Sequence, residues 1–232
     1  MKKTLLASLL GITLAISANN FVIAADLSKI SIEKTAAIQQ NKAPDEIVKV
    51  VITDVLETLN KHPEIKADSK KLNALIEEKI VPHINFRRMT ALAVGKDWRK
   101  TTEEQKLRLT KGFGNLLIKT YSNALAGYGD EKMVFKPLKM KPDDNEVNVR
   151  IEIHQAGNKP INFDTYLEKK DNAWFVYDVS VAGISLVTNY REQFNQTVRQ
   201  GGFEALLDLL ENKSDILVEK AKEETDNAMK QQ

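Results

Sequence analysis

Between Met133 and Val181 the apolar residues of this 232-residue chain recur at every second position, and on both sides of that window they recur every third or fourth. That switch of period restricts the fold more than any other feature, because period two belongs to strands and 3.6 to helices. The clearest run is Val147, Val149, Ile151 and Ile153 alternating with Asn148, Arg150, Glu152 and His154. It predicts a strand with one dry and one wet face. Ile161, Phe163, Thr165 and Leu167 continue the alternation, and Ala173 to Val181 supplies a fourth strand. The first strand spans Met133 to Met140, where Pro137 marks an edge or a bulge because it cannot donate to a ladder. The intervening turns, 142–145, 156–160 and 170–172, are short, so the strands form an antiparallel meander.

The flanks are helical. Pro44 suits a first helical position, and Val48, Val51, Ile52, Val55 and Leu59 share one face until Lys61-His62-Pro63. A second helix is expected from Ser69 to Val81, with Leu72, Leu75, Ile76 and Ile80 inward, and a short third one carries Phe86, Met89 and Ala93 up to Gly95. Thr101 and Glu104 have capping-box spacing before the longest helix, whose apolar side is Leu109, Phe113, Leu116, Leu117, Tyr121 and Leu125. Beyond the strands, Ser185 is a plausible cap for a helix with Val187, Tyr190, Phe194 and Val198 on one face. Gly201-Gly202 breaks the pattern before a last helix with Phe203, Leu206, Leu207 and Leu210, and the charged tail after it is expected to fray. Helices, a meander and helices again make an α+β fold: helices packed on a curved four-stranded antiparallel sheet, able to enclose a cone-shaped apolar cavity.

The first 24 residues are set apart from this pattern. Lys2 and Lys3 precede an apolar stretch from Leu5 to Ile16, and Val22-Ile23-Ala24 offers small residues for cleavage near Ala24 or Ala25. This is a secretory signal peptide, interrupted by Ser17, Asn19 and Asn20 too early for a spanning helix. Its removal takes away two of the 34 basic residues, which leaves them equal to the 32 acidic ones. A neutral mature chain excludes electrostatic binding to nucleic acid or to anionic lipid as the main activity. Residues 25–43 read as an N-terminal tether, 44–212 as a single domain and 213–232 as a charged C-terminal tail. The absence of Cys removes disulfides, thiol nucleophiles and thiolate metal sites together.

No catalytic set emerges. His62, His83 and His154 lie in different elements without metal-ligand spacing, and Gly112-Phe113-Gly114 lies inside a helical pattern instead of after a strand. Asp164 and Asp178 are unusual inside strands, and each reads as a wet-face residue or a helix-capping acceptor in preference to a buried acid. An apolar stripe, by itself, is ordinary core.

Two stretches carry a resemblance. One runs from Phe86-Arg87-Arg88-Met89-Thr90-Ala91-Leu92-Ala93-Val94-Gly95-Lys96-Asp97-Trp98-Arg99 into the long helix. The other is Trp174-Phe175-Val176-Tyr177-Asp178-Val179-Ser180-Val181-Ala182-Gly183-Ile184-Ser185-Leu186-Val187-Thr188-Asn189-Tyr190-Arg191. Together they resemble the toluene-tolerance family of periplasmic phospholipid-binding proteins, over about Pro44 to Asn212. Ala182 stands where that family often has an acidic residue, and Phe175 where a Lys is common. The resemblance implies a nuclear-transport-factor-like cone whose cavity holds phospholipid acyl chains and leaves the headgroup at its mouth. It implies a non-enzymatic shuttle between outer and inner membranes that maintains outer-membrane lipid asymmetry, with lipid as cargo and no cofactor or metal. Its implied partners are phospholipid, the outer-membrane lipoprotein MlaA with a porin, and an inner-membrane ABC transporter complex containing MlaD.

With the apolar faces taken as cavity walls, the expected lipid contacts are Leu109, Phe113, Leu116, Leu117 and Tyr121 from the long helix. The strands contribute Val147, Val149, Ile151, Phe163 and Val176, and the later helix Val187 and Tyr190. Arg191 is a candidate for a phosphate contact or a surface ion pair. Two other readings remain open at this stage. One is an enzyme on the same scaffold, using Asp164 or Asp178 with Tyr166 or Tyr177. The other is a protein-binding adaptor whose cavity is only core.

Overall fold

The structure, a computed structural model, describes residues 39, 42–129, 131–155, 157 and 159–231. The expected signal peptide and nearly all of the expected tether lie outside the described residues.

Four helices come first: α1 (Pro44–Lys61), α2 (Glu64–Ala67), α3 (Ser69–Lys79) and α4 (Phe86–Val94). Pro44 occupies the start of α1, where its missing N–H costs nothing. Asp68 caps α3 by accepting from the Lys70 and Lys71 amides, and Asn85 caps α4 by accepting from the Arg88 amide. Pro82 lies in a one-turn 3-10 segment, Val81–His83, so α3 stops two residues short of the expected end. The long helix α5 (Glu103–Ala126) starts one residue later than the spacing of Thr101 and Glu104 suggests. Thr102 Oγ1 accepts from the Gln105 amide, and Gln105 Oε1 accepts from the Thr102 amide. This is a capping box with Gln in the third place. Thr101 is used otherwise, donating its hydroxyl to the Trp98 carbonyl.

The sheet is a meander in the order β1 (Lys132–Phe135), β2 (Glu146–His154), β3 (Ile161–Lys170), β4 (Ala173–Val181) and β5 (Ile184–Ser185), all neighbours antiparallel. The fifth strand is two residues long and escapes a reading based on periodicity. The first is an edge strand that ends two residues before Pro137. A bulge in β4 opposite Tyr166 and Leu167 pairs Val176 with Leu167 and Val179 with Thr165. The extra residue lets Val176 and Val179 face the same side, which strict alternation forbids. Trp174, Val176, Val179, Leu167, Phe163, Val147, Val149 and Ile151 therefore share the face that meets the helices.

Two helices complete the chain. In α6 (Leu186–Asn212) the expected break falls where predicted: two helical segments meet at a kink at Gly202, whose φ of 71° and ψ of −168° are not helical. That region is open essentially to glycine alone. The tail expected to fray is a helix, α7 (Ser214–Gln231), which buries Leu217, Val218 and Ala221 against α5 and α6. Three apolar side chains on one stripe suffice to dock it, although most of its surface is charged.

Candidate functional site

The twelve apolar residues expected to contact lipid fall into two groups. Leu109, Phe113, Leu116, Leu117, Val187 and Tyr190 are buried in a helical cluster formed by α4 to α7, with Tyr121 half-buried against it. At its centre the Phe113 ring meets Tyr190 and Phe194 edge-on, with centroids 5.2 and 5.1 Å apart. The Tyr190 phenol is pushed up to about 12 by burial, and burial followed by the neighbouring Tyr190 raises Tyr121 as well. Both are therefore neutral hydroxyls at any physiological pH. Val147, Val149 and Ile151 are buried, and Phe163 and Val176 half-buried, in a second cluster between the sheet and α1, together with Ile47, Val48 and Trp174. A third cluster joins Val55 and Leu59 of α1 to Leu72, Leu75 and Ile76 of α3.

The second cluster opens to solvent. Between α1 and the edge strand β1 lies a groove of about 560 Å³, within the usual size of ligand sites. Ile52 and Leu56 of α1 form one wall, with Thr53, and Met133, Val134 and Phe135 of β1 form the other. Tyr128 also lines it, and Lys49 of α1 and Lys132 of β1 stand on opposite walls. Ile52, Met133 and Phe135 pack directly on the cluster that holds Val147, Val149 and Ile151. The groove is thus continuous with the dry face of the sheet, and the five expected strand residues lie behind it. Of its lining, the sequence signalled only the apolar side of α1. Ile47, Val48, Val51, Ile52, Val55, Leu56 and Leu59 cover more of that helix than one packed neighbour needs.

The polar candidates have structural roles. Asp178 Oδ1 accepts from the Val179 and Val187 amides, and its Oδ2 accepts from the Ser185 hydroxyl at 2.6 Å. Ser185 in turn caps α6 through the Thr188 amide. The carboxylate is therefore engaged at a helix N-terminus, where donors and dipole both favour a negative charge. Asp164 lies on the opposite face of the sheet, paired across strands with Arg150 and Ser180; burial raises its carboxyl and Arg150 opposes the rise. Tyr177, at the bulge, lies under the Arg88 guanidinium at 3.7 Å and donates to Glu146. Arg88 also binds Glu146 at 2.6 Å and Glu168, tying the start of α4 to the sheet. Arg191 donates its Nε–H to the Leu92 carbonyl at the end of α4 and forms no ion pair among the described residues. His62 and His154 face Glu64 and Glu152, while His83 Nδ1 is 3.0 Å from Gln39 Nε2. These polar groups are distributed over caps, strand faces and turns. None lines the groove.

The family model described as MlaC protein matches residues 49–212, from α1 to the end of α6. The intermembrane phospholipid transport system binding protein MlaC of Haemophilus influenzae is 28% identical over 147 residues, 62% of this chain and 69% of the relative. The toluene tolerance protein Ttg2D of Pseudomonas putida is 29% identical over 107 residues, 45% of this chain; the match spans about half of that relative, 48%. Among solved structures, a phospholipid-binding protein from Ralstonia solanacearum in complex with a phospholipid superposes with a TM-score of 0.69 at 34% identity. That match covers 74% of this chain and 96% of the other.

Proposed function

The chain belongs to the MlaC protein family, and on that premise we propose that it is a periplasmic carrier that encloses phospholipid acyl chains and shuttles phospholipid between the outer and inner membranes. The observation that carries this reading is the apolar groove between α1 and β1, continuous with the dry face of the sheet, in a fold shared with a protein solved with phospholipid bound.

The energetic need is large. Burial of one CH₂ is worth about 0.8 kcal/mol, so two chains of roughly 16 carbons would cost on the order of 25 kcal/mol to expose. A lipid crosses an aqueous compartment only inside something apolar. The groove offers side chains that can supply this: Ile52, Leu56, Met133 and Phe135 at the opening, and Val147, Val149, Ile151, Phe163 and Val176 behind them. Separation of the sheet from the helices along the junction between the two clusters would lengthen the groove to take acyl chains. Among the described residues no helix is long and apolar enough to cross a membrane, which suits a protein that moves between membranes instead of residing in one. The cargo is the only ligand the reading requires, with no cofactor and no catalytic step. Delivery and collection would involve an outer-membrane lipoprotein with its porin and an inner-membrane ABC transporter.

The test is native mass spectrometry of the chain purified without detergent from cells, with lipid extraction of the same sample. A mass excess matching phospholipid is expected. Leu56→Trp with Met133→Trp fills the opening at two half-exposed positions and should reduce the bound lipid at least tenfold while the far-UV spectrum is unchanged. A lipid-free wild-type protein that stays lipid-free after incubation with vesicles would overturn the carrier reading.

A further inference from the structure

Among the described residues, the charged side chains flanking the groove are held by an ion pair or a hydrogen bond, with two exceptions. On α1, Glu57 binds Lys61 at 3.1 Å and Asp54 binds Lys79 at 3.1 Å. Beyond β1, Lys136 binds Glu152 at 2.6 Å, and Glu131 turns back to accept from the Gly129 amide. Lys66 donates to the Tyr128 carbonyl. Asp45 and Glu46, in the first turn of α1, are not among the lining residues. Lys49 and Lys132 line the groove itself, from opposite walls, and neither has an ion pair or a hydrogen bond among the described residues. Lys49 has its ammonium 5.9 Å from the centroid of the Phe135 ring, which holds the charge over the opening.

From this arrangement we infer that the groove selects its cargo by headgroup charge: Lys49 and Lys132 form a station that favours a phospholipid with a net negative headgroup, such as phosphatidylglycerol, over zwitterionic phosphatidylethanolamine. The inference rests on the carrier reading and deepens it. Both lipids bring a phosphate to the mouth once their chains enter the apolar groove. The ethanolamine headgroup also brings its own ammonium, which compensates the phosphate and is repelled by the two lysines. The glycerol headgroup leaves the phosphate charge for the lysines. Both lysines are solvent-exposed, so each contributes modestly, and the pair should yield a preference of about fivefold.

The experiment uses the delipidated full-length mature chain, incubated with vesicles of equal parts phosphatidylglycerol and phosphatidylethanolamine, re-isolated and extracted. The wild type should hold the two lipids in a ratio of about five to one. In 0.5 M NaCl, where the screening length is only a few ångströms, the ratio should fall towards one. The Lys49→Gln, Lys132→Gln double variant should show a ratio near one at low salt, through a lower phosphatidylglycerol content, with its unfolding midpoint unchanged. A wild-type ratio of one, or a ratio kept by the double variant, would overturn the inference and leave the carrier intact. Displacement of bound lipid by millimolar glycerol phosphate would also overturn it, because the station would then be a free-anion site. No lipid bound in any sample would count against the carrier reading and remove the inference with it.

Discussion

Ala182 and Gly183 connect β4 to β5 with φ angles of 53° and 84°. Two successive residues in the left-handed region are what a two-residue type I′ hairpin requires. The preceding hairpin meets the same demand with Asp171 and Asn172, at 50° and 62°, whose short polar side chains tolerate it. That turn was legible in the sequence because Asp-Asn is a turn signal. The Ala182 turn was not, because alanine signals helix, and so β5 went unread. An alanine with positive φ costs roughly 1–2 kcal/mol relative to a residue suited to the region. The family resemblance places an acidic residue at this position, and a short one would relieve that strain. Ala182→Asn should therefore raise stability by about 1 kcal/mol, seen as a higher urea midpoint at constant slope. A lower midpoint would mean that the Ala182 methyl makes a contact worth more than the backbone strain. The two strand carboxylates show a related point: their residue type marked them as unusual, yet only tertiary contacts reveal that Asp178 caps α6 while Asp164 faces away from the helices.

At the scale of elements, the helices and strands followed from hydrophobic period, and the departures have local causes. The capping box moved from Thr101 and Glu104 to Thr102 and Gln105 because Thr and Gln satisfy the same amides one residue later. The bulge in β4 is invisible to periodicity, since it depends on which β3 residue each β4 residue meets. The least legible joint is that between the segment preceding α1 and the start of β4. Gln39 is buried there: its Oε1 accepts from the Trp174 amide at 2.7 Å, and its Nε2 donates to the Trp174 carbonyl at 3.0 Å. The second proton on Nε2 is left for His83 Nδ1, which must then accept, so His83 is neutral with its proton on Nε2. Burial, reinforced by Lys42, lowers the His83 pKa. The folded protein thus resists a proton that the unfolded chain accepts near the ordinary imidazole value of about 6.5. The stabilisation from neutral His83 is complete above that value and is lost as pH falls below it, because the unfolded state then binds more protons. The urea midpoint of the wild type should drop between pH 7.5 and 5.5. His83→Asn keeps an acceptor for Gln39 without a titrating group, and should flatten most of that drop. An equal drop in the variant would place the titration elsewhere.

Across the whole molecule, the sequence supports one apolar interior, and the structure divides it. The twelve residues read as a single cavity wall are split between a cluster under α1 and one formed by α4 to α7, which reach the dry face at different points: Trp174 and Val176 of β4 belong to the first, and Val179 packs on the second. Hydrophobic period identifies which residues turn inward, but which of them meet each other is a matter of crossing angles and of the β4 bulge. The groove was missed for the same reason: Lys49 and Lys132 are ordinary surface lysines until α1 is laid beside β1. The last helix separates the two clusters experimentally. It follows the family-matched segment, contributes Leu217, Val218 and Ala221 to the helical cluster and supplies no lining residue of the groove. A chain ending at Asn212 loses the burial of those three side chains and leaves their partners on α5 and α6 uncovered. Burial of a Leu or Val is worth roughly 1.5–3 kcal/mol, and release of an 18-residue helix recovers some conformational entropy, so the net loss should be about 2–4 kcal/mol by urea denaturation. If acyl chains enter through the α1–β1 groove and lie along the sheet, the truncated chain should capture lipid from vesicles as well as the full one. A truncated chain that folds but no longer holds lipid would instead place the tails against Leu117, Tyr121 and Tyr190, making α7 part of the wall that keeps them dry.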